Sequence, residues 1–187
     1  TACVDCTSEL HSDPGTSAAA GGCVACGPGW DEDDAGVCTR CPAGTSDHDS
    51  DETTDCEACA AGSISTSAGA YGPASDSDDG TGCQNCPAGK YAAADALSCV
   101  DCAAGKYVAV TATADASGCI PCGAGKYVGV TGSDQETDCI DCLAGTYVDA
   151  TGSDEASDCI DCAAGKHSAV TAASQGSDCT DCAAGEY

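Results

Sequence analysis

All 20 cysteines of the 187-residue chain fall into ten Cys-x-x-Cys pairs, and this arrangement limits the fold more than any other feature. The pairs open at Cys3, Cys23, Cys38, Cys56, Cys83, Cys99, Cys119, Cys139, Cys159 and Cys179. From Cys99 onward they recur every 20 residues; before it the spacing runs between 15 and 27. A fixed period of this kind marks tandem repeats, each too small to bury a face alone. Composition explains why cysteine must hold them. Leu, Ile, Val and Phe together supply 17 residues, Met is absent, and the one Trp is Trp30. Burying so little apolar surface cannot offset the entropy of ordering the chain. With a net charge of -26 the chain would otherwise read as disordered. Covalent links replace the missing core.

Three uses of the pairs compete. Cys-x2-Cys spaced by 15–20 residues from another such pair suits zinc. Against zinc stand ten copies in an unbroken row. Redox catalysis needs one activated thiolate, usually at a helix start, and nothing here supplies that context. Structural disulfides remain, and they imply an oxidising compartment outside the cell. Two cysteines separated by two residues bond each other only with strain, so bonds run between pairs. The uniform rule links the second Cys of each pair to the first of the next: Cys6–Cys23, Cys26–Cys38, Cys41–Cys56, Cys59–Cys83, Cys86–Cys99, Cys102–Cys119, Cys122–Cys139, Cys142–Cys159 and Cys162–Cys179. Cys3 and Cys182 are left over. The rival joins first to first and second to second, as Cys3–Cys23 with Cys6–Cys26. It implies a 40-residue superperiod, whereas the regular half has a period of 20.

Within a repeat, Gly stands three residues after the second Cys at 44, 62, 89, 105, 125, 145, 165 and 185. Tyr follows two residues later at 91, 107, 127, 147 and 187, with His167 in the same slot. The Gly reads as a turn. Tyr127–Val130 reads as a short strand, Gly132-Ser133-Asp134 as a turn, and Thr137–Ile140 as a returning strand. The expected fold is small, disulfide-rich and mostly irregular, with short β-ribbons and almost no helix. About nine tandem repeats of ~20 residues would stack into an elongated rod. Two regions are expected: 1–98, irregular with variable acidic loops, and 99–187, regular.

Cys83-Gln-Asn-Cys-Pro-Ala-Gly-Lys-Tyr91 and Cys38-Thr-Arg-Cys-Pro-Ala-Gly-Thr45 carry a family resemblance. They resemble the Cys-rich repeats of tumour-necrosis-factor receptors, ephrin-receptor-like repeats and the surface (immobilisation) antigens of ciliates. The resemblance covers essentially the whole chain. It implies an extended, disulfide-laddered ectodomain at a cell surface. The bias towards Ala, Gly and Asp, with Asn85 the one Asn, suits an aquatic protist or alga by analogy.

Acidic stretches are the next candidates. Asp47, Asp49 and Asp51 could bind Ca2+ loosely, since closely spaced carboxylates suit a hard cation, although no EF-hand pattern is present. The competing reading is a solvated acidic loop. No other cofactor is expected. The recurrent Tyr is expected to cover the adjacent disulfide. Lys90, Lys106, Lys126 and Lys166 could pair with Asp in an adjacent repeat. Trp30 anchors a contact or fills a gap. The three histidines, His11, His48 and His167, lie in unrelated loops, and no nucleophile has a base beside it in sequence, so no enzyme is expected. Five Lys+Arg against 31 Asp+Glu make nucleic acid an unfit partner. No stretch approaches the ~20 apolar residues of a membrane helix, so no membrane insertion is expected in this segment. Asn-x-Ser/Thr is absent, but 18 Ser and 17 Thr leave room for O-linked glycans.

The chain starts two residues before a Cys pair and stops midway into another repeat. It therefore reads as an excerpt of a longer repeat protein, or as a segment whose ends join further copies. The expected function is an extracellular structural protein: a rod, filament or surface coat that associates with itself or with neighbouring copies. The alternative is a ligand-binding or adhesive ectodomain of a receptor-like surface protein.

Overall fold

The computed structural model describes residues 29–32, 38–48, 55–71, 82–94 and 96–185. Contacts divide the chain into two parts, one of Thr1–Cys86 with Ala92–Cys99, the other of Pro87–Tyr91 with Val100–Tyr187. Among the described residues the secondary structure consists of two-stranded antiparallel ribbons and short 3-10 turns, with no α-helix.

In the second part each ribbon pairs a strand inside a disulfide loop with the two residues between the cysteines of the next pair. Lys126–Tyr127 pairs with Ile140–Asp141, and Thr146–Tyr147 with Ile160–Asp161. Each strand is only two residues long. The expected strand Tyr127–Val130 is therefore shorter, because Val128 leaves the ribbon and donates its N–H to Ser153 O of the next repeat (3.1 Å). The expected returning strand Thr137–Ile140 is also corrected: Glu136–Asp138 forms a 3-10 turn. Asp138 Oδ2 accepts from the N–H groups of Asp134 (3.1 Å) and Gln135 (3.3 Å) and winds the chain there. Asp158 and Asp178 repeat the device on Asp154 and Ser174.

Successive repeats are joined by backbone. Cys142 N–H donates to Gly125 O (2.8 Å), Gly125 N–H to Val148 O (2.8 Å), Val128 N–H to Ser153 O (3.1 Å) and Gly152 N–H to Cys122 O (2.8 Å). The same four bonds join the preceding pair of repeats, through Gly105, Val128, Ser133 and Cys102. They recur in the irregular part, where Cys59, Gly44, Asp47 and Gly69 donate to Gly44, Ser65, Ala70 and Cys41. The frame from the second Cys onward thus recurs in both parts, whereas between the repeats of Cys59 and Cys86 only the first two bonds form and Ala96 N–H turns back to Ala93 O (3.3 Å). Variation in repeat length falls after the frame, before the next pair.

The glycine three residues after the second Cys is required by that frame. Gly105 has φ +83, and a Cβ there would lie 2.1 Å from Gly152 O, two repeats on. Gly29 obeys the same rule against Gly69 O at 2.2 Å, although it was not among the glycines picked out from the sequence.

Candidate functional site

Seven disulfides occur among the described residues: Cys41–Cys56, Cys59–Cys83, Cys86–Cys99, Cys102–Cys119, Cys122–Cys139, Cys142–Cys159 and Cys162–Cys179. Each joins the second Cys of one pair to the first of the next. Cys6, Cys23 and Cys26, and the Cys38 side chain, lie outside what is described. Cys182 carries no disulfide, and its Sγ is 3.8 Å from His167 Nδ1. The bonded cysteines offer no thiolate to a metal, and among the described residues no group of three His, Cys, Asp or Glu could hold one.

What apolar core exists is built on the bridges. Cys102, Val108 and Cys119 form one buried cluster, against which Tyr91 of the preceding repeat packs. Cys122, Val128 and Cys139 form another, with Tyr107 on it. The tyrosine therefore covers the disulfide of the next repeat. The sixth residue after the second Cys is the buried slot; it holds Val108, Val128 and Val148, and also Ala92, Ser65 and Ser168.

Asp47 occupies that same slot. Its side chain is fully buried, its Oδ2 accepts from Gly29 N–H (3.0 Å), and its Oδ1 has no partner. Burial of a carboxylate with one oxygen unsatisfied is costly. Aligning repeats on their second cysteine would have exposed this; grouping Asp47 with the acidic stretch hid it. Asp49 and Asp51 lie outside the described residues. His48 Nδ1 is 3.7 Å from Glu57.

The lysines pair across ribbons. Lys90 bonds Asp101, Lys126 bonds Asp141, and Lys166 bonds Asp181 at 2.7 Å, each pair in direct register. Lys106 faces Pro121 instead. These pairs are exposed and screened by water, so they add little to stability. The hydrogen bond from Lys166, then its charge, holds the Asp181 carboxyl below its ordinary range. The Ser117 hydroxyl, then the Ser117 N–H (2.7 Å), does the same for Asp115. Trp30 stands opposite Arg40, whose guanidinium lies 4.9 Å over the ring.

The surface holds what inspection of the sequence missed. Val110, Val130 and Val170 are 63%, 63% and 60% exposed. Ile120, Ile140 and Ile160 are about half exposed. Val130, Thr131, Gly132 and Ile140 line one shallow groove. The signal was available, since each of these residues recurs on the 20-residue period.

Comparison with known families agrees with this construction. Residues 89–139 match the family described as tyrosine-protein kinase ephrin type A/B receptor-like. No curated protein matches the chain. The matched segment and the bridged repeats define cysteine-rich, receptor-like modules, and such modules fit an extracellular or cell-surface protein. No helix among the described residues is long and apolar enough to cross a membrane.

Proposed function

We propose that the chain is a structural, non-catalytic segment of an extracellular filament or surface coat, assembled by self-association. An origin in an aquatic protist or alga, and kinship with ciliate surface antigens, belong to the same proposal. The observation that supports it is the recurrence of the inter-repeat frame in both parts of the chain. The same four backbone bonds join repeats in the irregular part, around Cys41 and Cys59, and in the regular part. A frame that recurs around loops of differing length and sequence serves spacing and stacking. Electron microscopy of the native material tests the reading: ordered filaments or lattices are expected, and a dispersed monomer that captures one defined ligand refutes it. That second outcome would favour a receptor-like ectodomain, a reading supported by the receptor-like match over residues 89–139.

A further inference from the structure

The ninth residue after the second cysteine is Thr in four successive repeats: Thr111, Thr131, Thr151 and Thr171. All four are exposed and sit in a bend. The following residue, Ala112, Gly132, Gly152 or Ala172, has a positive φ of 56, 74, 75 or 55°. The turn therefore presents the threonine outward with only a small neighbour behind it.

The fold makes no use of these hydroxyls. Among the described residues none of the four has a hydrogen-bond partner. Other hydroxyls of the same repeats are engaged: Thr146 donates to Leu143 O (2.9 Å), Ser168 to Val170 O (3.1 Å) and Ser157 to Glu155 (2.9 Å). A residue kept on the period without a bond to make needs another reason for its hydroxyl.

The neighbouring surface offers one. Beside three of the threonines stand Val110, Val130 and Val170, each about 60% exposed. Thr131 itself lines the groove floored by Val128 and Val130 and edged by Ile140. Exposed aliphatics on a fixed pitch are an association hazard unless covered. A second copy laid over this patch would bring its own net charge of -26 against it, whereas self-association through other surfaces leaves the patch uncovered. A neutral sugar has no such penalty. Its C–H face packs on aliphatic side chains while its hydroxyl rim stays in water.

We propose that Thr111, Thr131, Thr151 and Thr171 are O-glycosylation sites, and that the sugar on Thr131 lies over the apolar groove beside it. The inference rests on the extracellular reading above. The donor is a nucleotide-activated sugar. Thr Oγ1 attacks its anomeric carbon, the bond from that carbon to the phosphate oxygen breaks, the nucleoside diphosphate leaves with the electron pair, and the hydroxyl proton passes to a base of the transferase.

Peptide mapping of the native protein tests this. After reduction and alkylation, trypsin cuts at Lys106, Lys126 and Lys166 and separates Thr111, the Thr131–Thr151 pair and Thr171. Electron-transfer fragmentation should place sugar mass on these four residues and little on the parallel row Ser117, Thr137, Ser157 and Ser177. Bare threonines, or equal occupancy of the second row, overturn the assignment. Chemical deglycosylation should raise binding of an apolar dye several-fold; unchanged binding overturns the covering role. A non-reducing map of the same sample keeps the two readings apart. Bare threonines on a secreted, bridged protein refute this inference alone, whereas an intracellular protein with free thiols refutes the extracellular reading.

Discussion

Removing the Cys122–Cys139 bridge by Cys122→Ala with Cys139→Ala is expected to unfold one repeat while the others persist. The bonded cysteines are 17 residues apart. In the chain-entropy model a loop of that size contributes about 3 kcal/mol. The comparison that matters is with what a repeat has to lose. Folded domains hold roughly 0.05–0.15 kcal/mol per residue, so a 20-residue share is on the order of 1–3 kcal/mol. Losing the bridge therefore removes about the whole share. The remaining packing does not compensate: Val128 is the one aliphatic in that cluster, and trimming it to Ala costs only about 1.5 kcal/mol at ~0.8 kcal/mol per methylene. Amide hydrogen exchange reads the effect directly. The N–H groups of Gly125, Val128 and Gly152, which carry the bonds between this repeat and the next, should lose protection by about two decades at 1.4 kcal/mol per decade. Amides of the Cys162–Cys179 loop should lose much less, because the stabilising contacts run mainly between neighbours. A fall of less than threefold at Gly125 and Val128 would show that the backbone frame stands without its bridge. Equal loss in every repeat would show that the stack melts as one.

Gly125→Ala is expected to cost about 2–5 kcal/mol by denaturant unfolding, since the new Cβ would lie 2.3 Å from Ala172 O at φ +85, whereas Gly123→Ala, with nothing within 4 Å, should be neutral or slightly stabilising. Ala172→Gly should gain about 0.5–1 kcal/mol, because an alanine at φ 55 sits where Gly132 and Gly152 serve the same turn. The Ser117 bonds lower the Asp115 carboxyl below its ordinary 3.8, so they favour the folded turn above that pH and are lost as pH falls through the lowered value; NMR of the Ser117 amide should titrate below 3.8, and a midpoint at or above it would refute the cap. Calorimetry at low salt is expected to show weak Ca2+ binding that Asp49→Asn with Asp51→Asn abolishes, Asp47 being buried against Gly29; no heat from the parent chain would leave the acidic stretch as a solvated loop.

Much of this architecture is legible because cysteine and glycine leave marks at fixed positions. The paired cysteines announce the period, and Gly105 announces a backbone approach that only a residue without Cβ survives. The contacts between repeats are harder to see. Cys142 N–H to Gly125 O and Gly125 N–H to Val148 O involve no side chain, so no hydrophobic period records them. The segment ending at Asp138 looks like a strand from Thr137 and Ile140 alone. What decides it is one carboxylate accepting two N–H groups, a choice recorded only by the Asp that precedes Cys139, Cys159 and Cys179. The threonine row is plain in the sequence, but its meaning needs exposure and the unused hydroxyl, which come from the fold.

The bridges also explain why the irregular part tolerates its loops. Cys59–Cys83 spans 24 residues and Cys86–Cys99 spans 13, almost a twofold range. Loop-closure entropy varies only with the logarithm of that length, so the two bridges contribute about 3.5 and 2.9 kcal/mol in the same model. A lengthened loop leaves its repeat nearly as stable as before, provided the frame from the second cysteine to the eleventh residue after it is intact. Cys59 to Ala70 meets that condition: Cys59 N–H, Gly69 N–H and Ala70 O make the same bonds as their counterparts in the regular repeats. Sequence can therefore change freely after that frame, and the loops before the next pair are where recognition could vary without cost to the stack. The frame itself answers to backbone geometry, which is why its slots accept Val128, Ala92 and Ser65 alike, and why Asp47 in the same slot stands out.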